Sequence, residues 1–146
     1  MTYTRRDLSA LLPALLAAQS SAQSASGGEN ILPSRCYTFD SLPVKTNPAN
    51  HNETRPVFEG TTHDGIPLEV HETRLMPGQM PHPAHHHVDE EMMLTREGTV
   101  EMTIAGKTTQ LGPGSVAYVH SNEEHGLKNT GDTPAQYFVI TIGKKS

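Results

Sequence analysis

The stretch His85-His86-His87-Val88-Asp89-Glu90-Glu91-Met92-Met93-Leu94-Thr95-Arg96-Glu97-Gly98 decides how the rest of this chain is read. Consecutive imidazoles followed by carboxylates are the usual donors for a first-row transition metal. Beyond the loop-like Val88-Asp89 the segment reads as extended backbone. Successive side chains of such backbone point to opposite faces, so His85 and His87 share one face and His86 takes the other. Glu91 returns to the face of His85 and His87 if the bend keeps the register, and Glu90 is the competing carboxylate one position away. A solvated histidine-rich loop would account for the clustered histidines alone. The spaced carboxylate, and a separate strand bearing His125, favour a metal site instead.

Two spaced motifs surround these residues. Gly78 precedes His85-His86-His87, three residues separate His87 from Glu91, and Gly98 follows after six more. Further on, Gly114 leads to His125 and then Asn129, with His120 and Asn122 between them. In these two motifs the chain resembles the cupin superfamily, over roughly residues 36–143. It departs from the family pattern in three places. Gly78 lies one residue further from His85 than usual, and His120 and Asn122 stand where a proline and a glycine are usual. Asn tolerates left-handed backbone better than most residues, so the last departure is mild. The resemblance implies a single all-β jelly-roll barrel and a metal held by His85, His87, Glu91 and His125. It also implies a homodimer formed through an outer sheet face.

Composition agrees with a small β domain. The chain has 146 residues, which suits one domain, and no tryptophan, so Val, Ile, Leu and Met must build its core. Twelve glycines and eleven prolines punctuate it into short segments. A formal charge of −5 gives no electrostatic support to a nucleic-acid role. No apolar run is long enough to span a bilayer. The single Cys36 excludes an internal disulfide. Residues 1–28 read differently. Arg5-Arg6 precedes a short apolar stretch and then Ser/Ala/Gln-rich sequence, the order of an export signal, and the paired arginines resemble a twin-arginine signal. The expectation is an exported protein, with a cytoplasmic one as the alternative.

From residue 36 onward the chain reads as strands separated by turns. Candidate edge strands cover residues 36–39 and 55–59. Further strands are expected over 66–76, 91–96, 99–105, 107–111, 115–119, 125–128 and 135–142, with Gly106-Lys107 as one hairpin turn. No helical periodicity persists anywhere in this region. Apolar groups fall on both faces of Met92-Met93-Leu94 and Tyr137-Phe138-Val139-Ile140, so the outer face needs a cover, either a second copy or the N-terminal strands of the same chain.

Other candidates rank below the four ligands. His86 has the wrong parity, and Pro81 and Pro83 hold His82 in an extended loop. His120 reads as a turn residue, and His51, His63 and His71 as solvent-facing. Arg74 reads as a surface ion-pair residue rather than a clamp for a substrate carboxylate, and Met93 and Met102 as core. There is no Gly-rich phosphate loop, nucleophile elbow or paired-cysteine zinc motif. The function expected is therefore that of a metal-dependent cupin acting on a small organic molecule, with dioxygenation as the first reaction to name. Fe(II) is the first metal to name, with Mn, Ni, Cu and Zn open to the same donors. The alternative is a cupin that binds metal or a small ligand without turnover.

Overall fold

A computed structural model describes residues 30–143. Its strands are β1 (Lys45–Thr46), β2 (Glu53–Thr61), β3 (Pro67–Leu75), β4 (Glu90–Glu97), β5 (Val100–Ile104), β6 (Lys107–Leu111), β7 (Val116–Val119), β8 (His125–Asn129) and β9 (Ala135–Ile142). They form a six-stranded sheet, β1-β2-β3-β9-β4-β7, and a three-stranded sheet, β6-β5-β8, with every ladder antiparallel. No α-helix occurs among the described residues. The segments are too short and too often broken by Gly and Pro to sustain a helical face, and two sheets closing on one core is the remaining solution.

That core consists mainly of inward alternate residues: Leu75 on β3, Met93 on β4, Val100 and Met102 on β5, Leu127 on β8, and Tyr137 and Val139 on β9. Burial alternates along β7 and through the first half of β9, as half-buried strands require. Closure of the two sheets produces the all-β jelly roll that the sequence leads one to expect.

Two local readings are corrected. Residues 36–39 form no strand; Phe39–Ser41 is instead one 3₁₀ turn. Side chains, not a backbone ladder, anchor this segment. Phe39 sits between the guanidinium groups of Arg55 and Arg96, at 5.0 and 4.1 Å, and Tyr37 packs on Phe58. The β5–β6 hairpin turns at Ala105-Gly106 rather than Gly106-Lys107. Both residues there have positive φ, 47° and 76°, the geometry of a two-residue primed turn. The expected edge strand at 55–59 extends over Glu53–Thr61 and is bulged at Pro56/Phe58, where proline has no N–H to give to the ladder. The proposed export segment, residues 1–28, lies outside the described residues.

Candidate metal centre

The two halves of the site come from distant parts of the chain, and backbone hydrogen bonds clamp them together. His85 and His125 exchange paired bonds, His85 N to His125 O at 3.0 Å and His125 N to His85 O at 2.8 Å. This bridge adds the histidine loop to the edge of the smaller sheet beside β8. The backbone N–H of Asn122 donates to His87 O at 2.7 Å. Asn122 has φ 61°, so the residue standing at the usual glycine position does take the left-handed backbone expected of it.

The side chains converge accordingly. Ligand-type atoms of His85, His87 and His125 lie within 4.8 Å of one another. The Glu91 carboxylate reaches the same point, 3.3 Å from His87 Nε2 and 3.7 Å from His125 Nε2. Glu90 lies on the opposite face of β4, where the Tyr118 hydroxyl bonds to it and is held above its usual pKa by that bond. Strand parity therefore separates the two carboxylates and selects Glu91. His86 is exposed, again as parity requires.

Backbone carbonyls orient two of the imidazoles. His87 Nδ1 faces Asp89 O at 2.9 Å, and His125 Nδ1 faces Glu123 O at 2.9 Å. A carbonyl can only accept, so each Nδ1 carries the proton and each Nε2 is left as a lone pair directed at Glu91. His125 Nε2 and His85 Nδ1 are buried with no hydrogen-bond partner. Such orphaned nitrogens cost roughly 1–3 kcal/mol each, a cost that a bound cation would remove. Burial, reinforced by the neighbouring His82, His125 and His87, holds the His85 imidazole below its usual range. The neutral form thereby favoured is the one that binds metal. Three imidazoles and one carboxylate fit a divalent transition metal well.

Glu91 and His125 line a cavity of about 300 Å³ between the sheets, and His85 and His87 adjoin these two at its edge. Its floor and walls include Met93, Leu127 and Val139, with Thr54, Thr73 and Tyr137 as polar groups. Tyr137 is buried and its hydroxyl bonds with Thr73; burial pushes its pKa up, so it remains a protonated donor. Two readings from sequence change here. His71 is not simply a solvent-facing residue, because β3 turns it into this cavity with its Nδ1 3.5 Å from Glu69 Oε1. His82 also lines the cavity and stands edge-on to His85, with ring centroids 4.2 Å apart. The signal for His71 was present in the β3 alternation, which puts it with Thr73 and Leu75 on one face. Arg74 pairs with Glu53 at 3.9 Å, as a surface ion-pair residue should, and lies on the face away from the cavity. His120 is exposed and pairs with Glu123. Met102 is core and lines a separate hollow of about 510 Å³ beside β6 and β7, which shares no residue with the ligand cluster.

Comparison with known proteins agrees with this architecture. Residues 71–141 match the family model Cupin_2, the cupin domain. In fold, the chain is similar to a cupin barrel. Among solved structures, an RmlC-like cupin from Shewanella frigidimarina superposes with a TM-score of 0.62 at 13% identity, covering 77% of this chain and 93% of that one. KdgF from Halomonas sp. gives 0.61 at 14% identity, covering 75% and 94%. L-ectoine synthase from Bordetella parapertussis is 35% identical over 65 residues, 44% of this chain and 50% of that enzyme. The chain thus matches about half the length of the curated relatives it resembles. Among the described residues, no helix is long and apolar enough to cross a membrane.

Proposed function

We propose that this protein is a cupin and a metal-dependent enzyme acting on a small organic molecule that chelates through adjacent oxygens. The observation that carries the reading is the convergence of His85, His87, His125 and Glu91 on one point, beside a cavity that Glu91 and His125 line. Three imidazoles and a carboxylate leave one or two positions open on a five- or six-coordinate divalent ion, and such an ion supplies Lewis-acid or redox chemistry. The protein's own part is to fix the donors, exclude bulk water and bind the ligand's apolar portion against Met93, Leu127 and Val139.

Dioxygenation is the reaction we assign first, with Fe(II) as its metal. Among the described residues, no Lys or Arg lines the cavity. The ion must therefore neutralise any substrate carboxylate, which places the ligand's anionic end at the histidine cluster. The direct test is metal analysis after dialysis, combined with O2 uptake over enolic and catecholic compounds, for the wild type and Glu91→Ala. Metal-dependent turnover lost in the variant supports the proposal. Tight ligand binding without turnover across the panel would replace it with the non-catalytic binding module.

Two wider proposals accompany this reading. Leu94, Val116 and Tyr118 are exposed on the outer face of β4 and β7, which supports a homodimer through that face. The twin-arginine-like order of residues 1–28 supports export.

A further inference from the structure

We infer that His71, positioned by Glu69, is the proton-transferring residue of this site, acting on a chelating ligand that carries an acidic C–H. The inference rests on the metal-dependent reading above. Glu69 and His71 are alternate residues of β3 and share its inner face. Glu69 Oε1 lies 3.5 Å from His71 Nδ1. A carboxylate at Nδ1 favours the Nδ1–H tautomer, which leaves the Nε2 lone pair as the base, the general arrangement of a base oriented by a third group. Both side chains are partly accessible, 26% and 32% exposed, so solvent can resupply or remove the proton.

The position suits a role opposite the ligand cluster. Strand β9 separates β3 from β4: His71 pairs with Val139, and Val139 pairs with Met93, two residues beyond Glu91. Two interstrand spacings put the β3 and β4 backbones about 10 Å apart. A small ligand between them has its chelating end at the His85–His87–Glu91–His125 cluster and its other end at His71. With no Lys or Arg among the described residues that line the cavity, that far end is not a second carboxylate but a weakly polar, acidic carbon. Small 2-oxo acids have this form. The step is redox-neutral: the C–H bond breaks, its proton forms a bond to Nε2, and the electron pair stays on the ligand as an enolate. Nε2 then returns a proton to carbon or yields it to water.

Two readouts test the inference. In the metal-free protein, ¹⁵N NMR of neutral His71 should show the Nδ1–H tautomer, shifting towards Nε2–H in Glu69→Gln. In the Zn(II)-loaded protein, pyruvate, 2-oxobutyrate and 3-methyl-2-oxobutyrate are incubated in D2O and followed by ¹H NMR. Wild type should exchange the C–H next to the carbonyl of at least one of them. His71→Gln should lower that rate by about 100-fold while keeping its zinc, and the surface control His120→Gln should match wild type. Equal exchange in His71→Gln overturns the inference, as does a zinc-loaded wild type that exchanges none of the three. Failure to hold zinc at all overturns the metal-dependent reading as well, which separates the two.

Discussion

The directions of His87 and His125 are set by two carbonyl oxygens, Asp89 O and Glu123 O, each two residues away along the chain. Because these acceptors are backbone, they persist whatever the neighbouring side chains are, and the tautomer needed for ligation is built into the loop itself. Alanine in place of His85, His87, Glu91 or His125 should therefore weaken metal retention by on the order of 100-fold, measured as metal content after dialysis against a graded chelator. His86→Ala and His82→Ala should retain metal nearly as wild type does. Equal loss from all six would indicate an unspecific histidine cluster. Asn129 is a structural counterpart to these ligands. Fully buried, its side-chain nitrogen donates to Leu75 O and Thr133 O, while its oxygen accepts from Gly131 N. Asn129→Ala strands three backbone groups and should cost about 3 kcal/mol in denaturant unfolding.

The strands that carry the site are held by exchangeable and non-exchangeable parts. Gly98 is among the latter: with φ 75°, an added Cβ would lie 2.7 Å from Ala135 Cα and 2.9 Å from Pro134 O. Gly98→Ala should cost roughly 3 kcal/mol of stability, because neither backbone neighbour can yield. On the outer face of β3, Glu72 is fully buried and bonded to Arg55 at 3.1 Å. Burial outweighs Arg55 and raises its carboxyl pKa above the ordinary 4.5. The folded protein then holds that proton more tightly than the unfolded chain, so stability falls as pH rises from 4.5 through the folded value. Glu72→Gln keeps an acceptor for Arg55 and removes that loss. Its melting temperature relative to wild type should rise as the pH increases above 4.5; a relative fall contradicts this account. The same strand shows where sequence reading ran out. Alternation put Leu68 and Val70 opposite Glu69 and His71, but β3 itself is at least half-buried on both faces, so amphipathicity alone does not reveal which of them lines the cavity. Periodicity was sufficient for β5, β6 and β9, and strand parity with motif spacing brought His85, His87, Glu91 and His125 together. The 3₁₀ turn at Phe39 was not legible, because long-range stacking on Arg55 and Arg96 maintains it.

At the scale of the whole molecule, the segment leading into Phe39–Ser41 packs over one part of the outer sheet face and leaves Leu94, Val116 and Tyr118 exposed. Sedimentation equilibrium should give a dimer that Val116→Asp converts to monomer; a wild-type monomer at all concentrations contradicts the proposed association. Everything functional depends on something more local, whether two hairpins of a jelly roll deliver four donors to one ion. Anomalous diffraction at metal absorption edges, on crystals of protein purified without a histidine tag or added metal, addresses this directly. The account predicts one anomalous peak inside the barrel, about 2.0–2.3 Å from a nitrogen of each of His85, His87 and His125 and at a similar distance from a Glu91 oxygen. A peak bound instead by the exposed His82 and His86, or no peak at the cluster after incubation with Fe(II), Mn(II) or Zn(II), would contradict it.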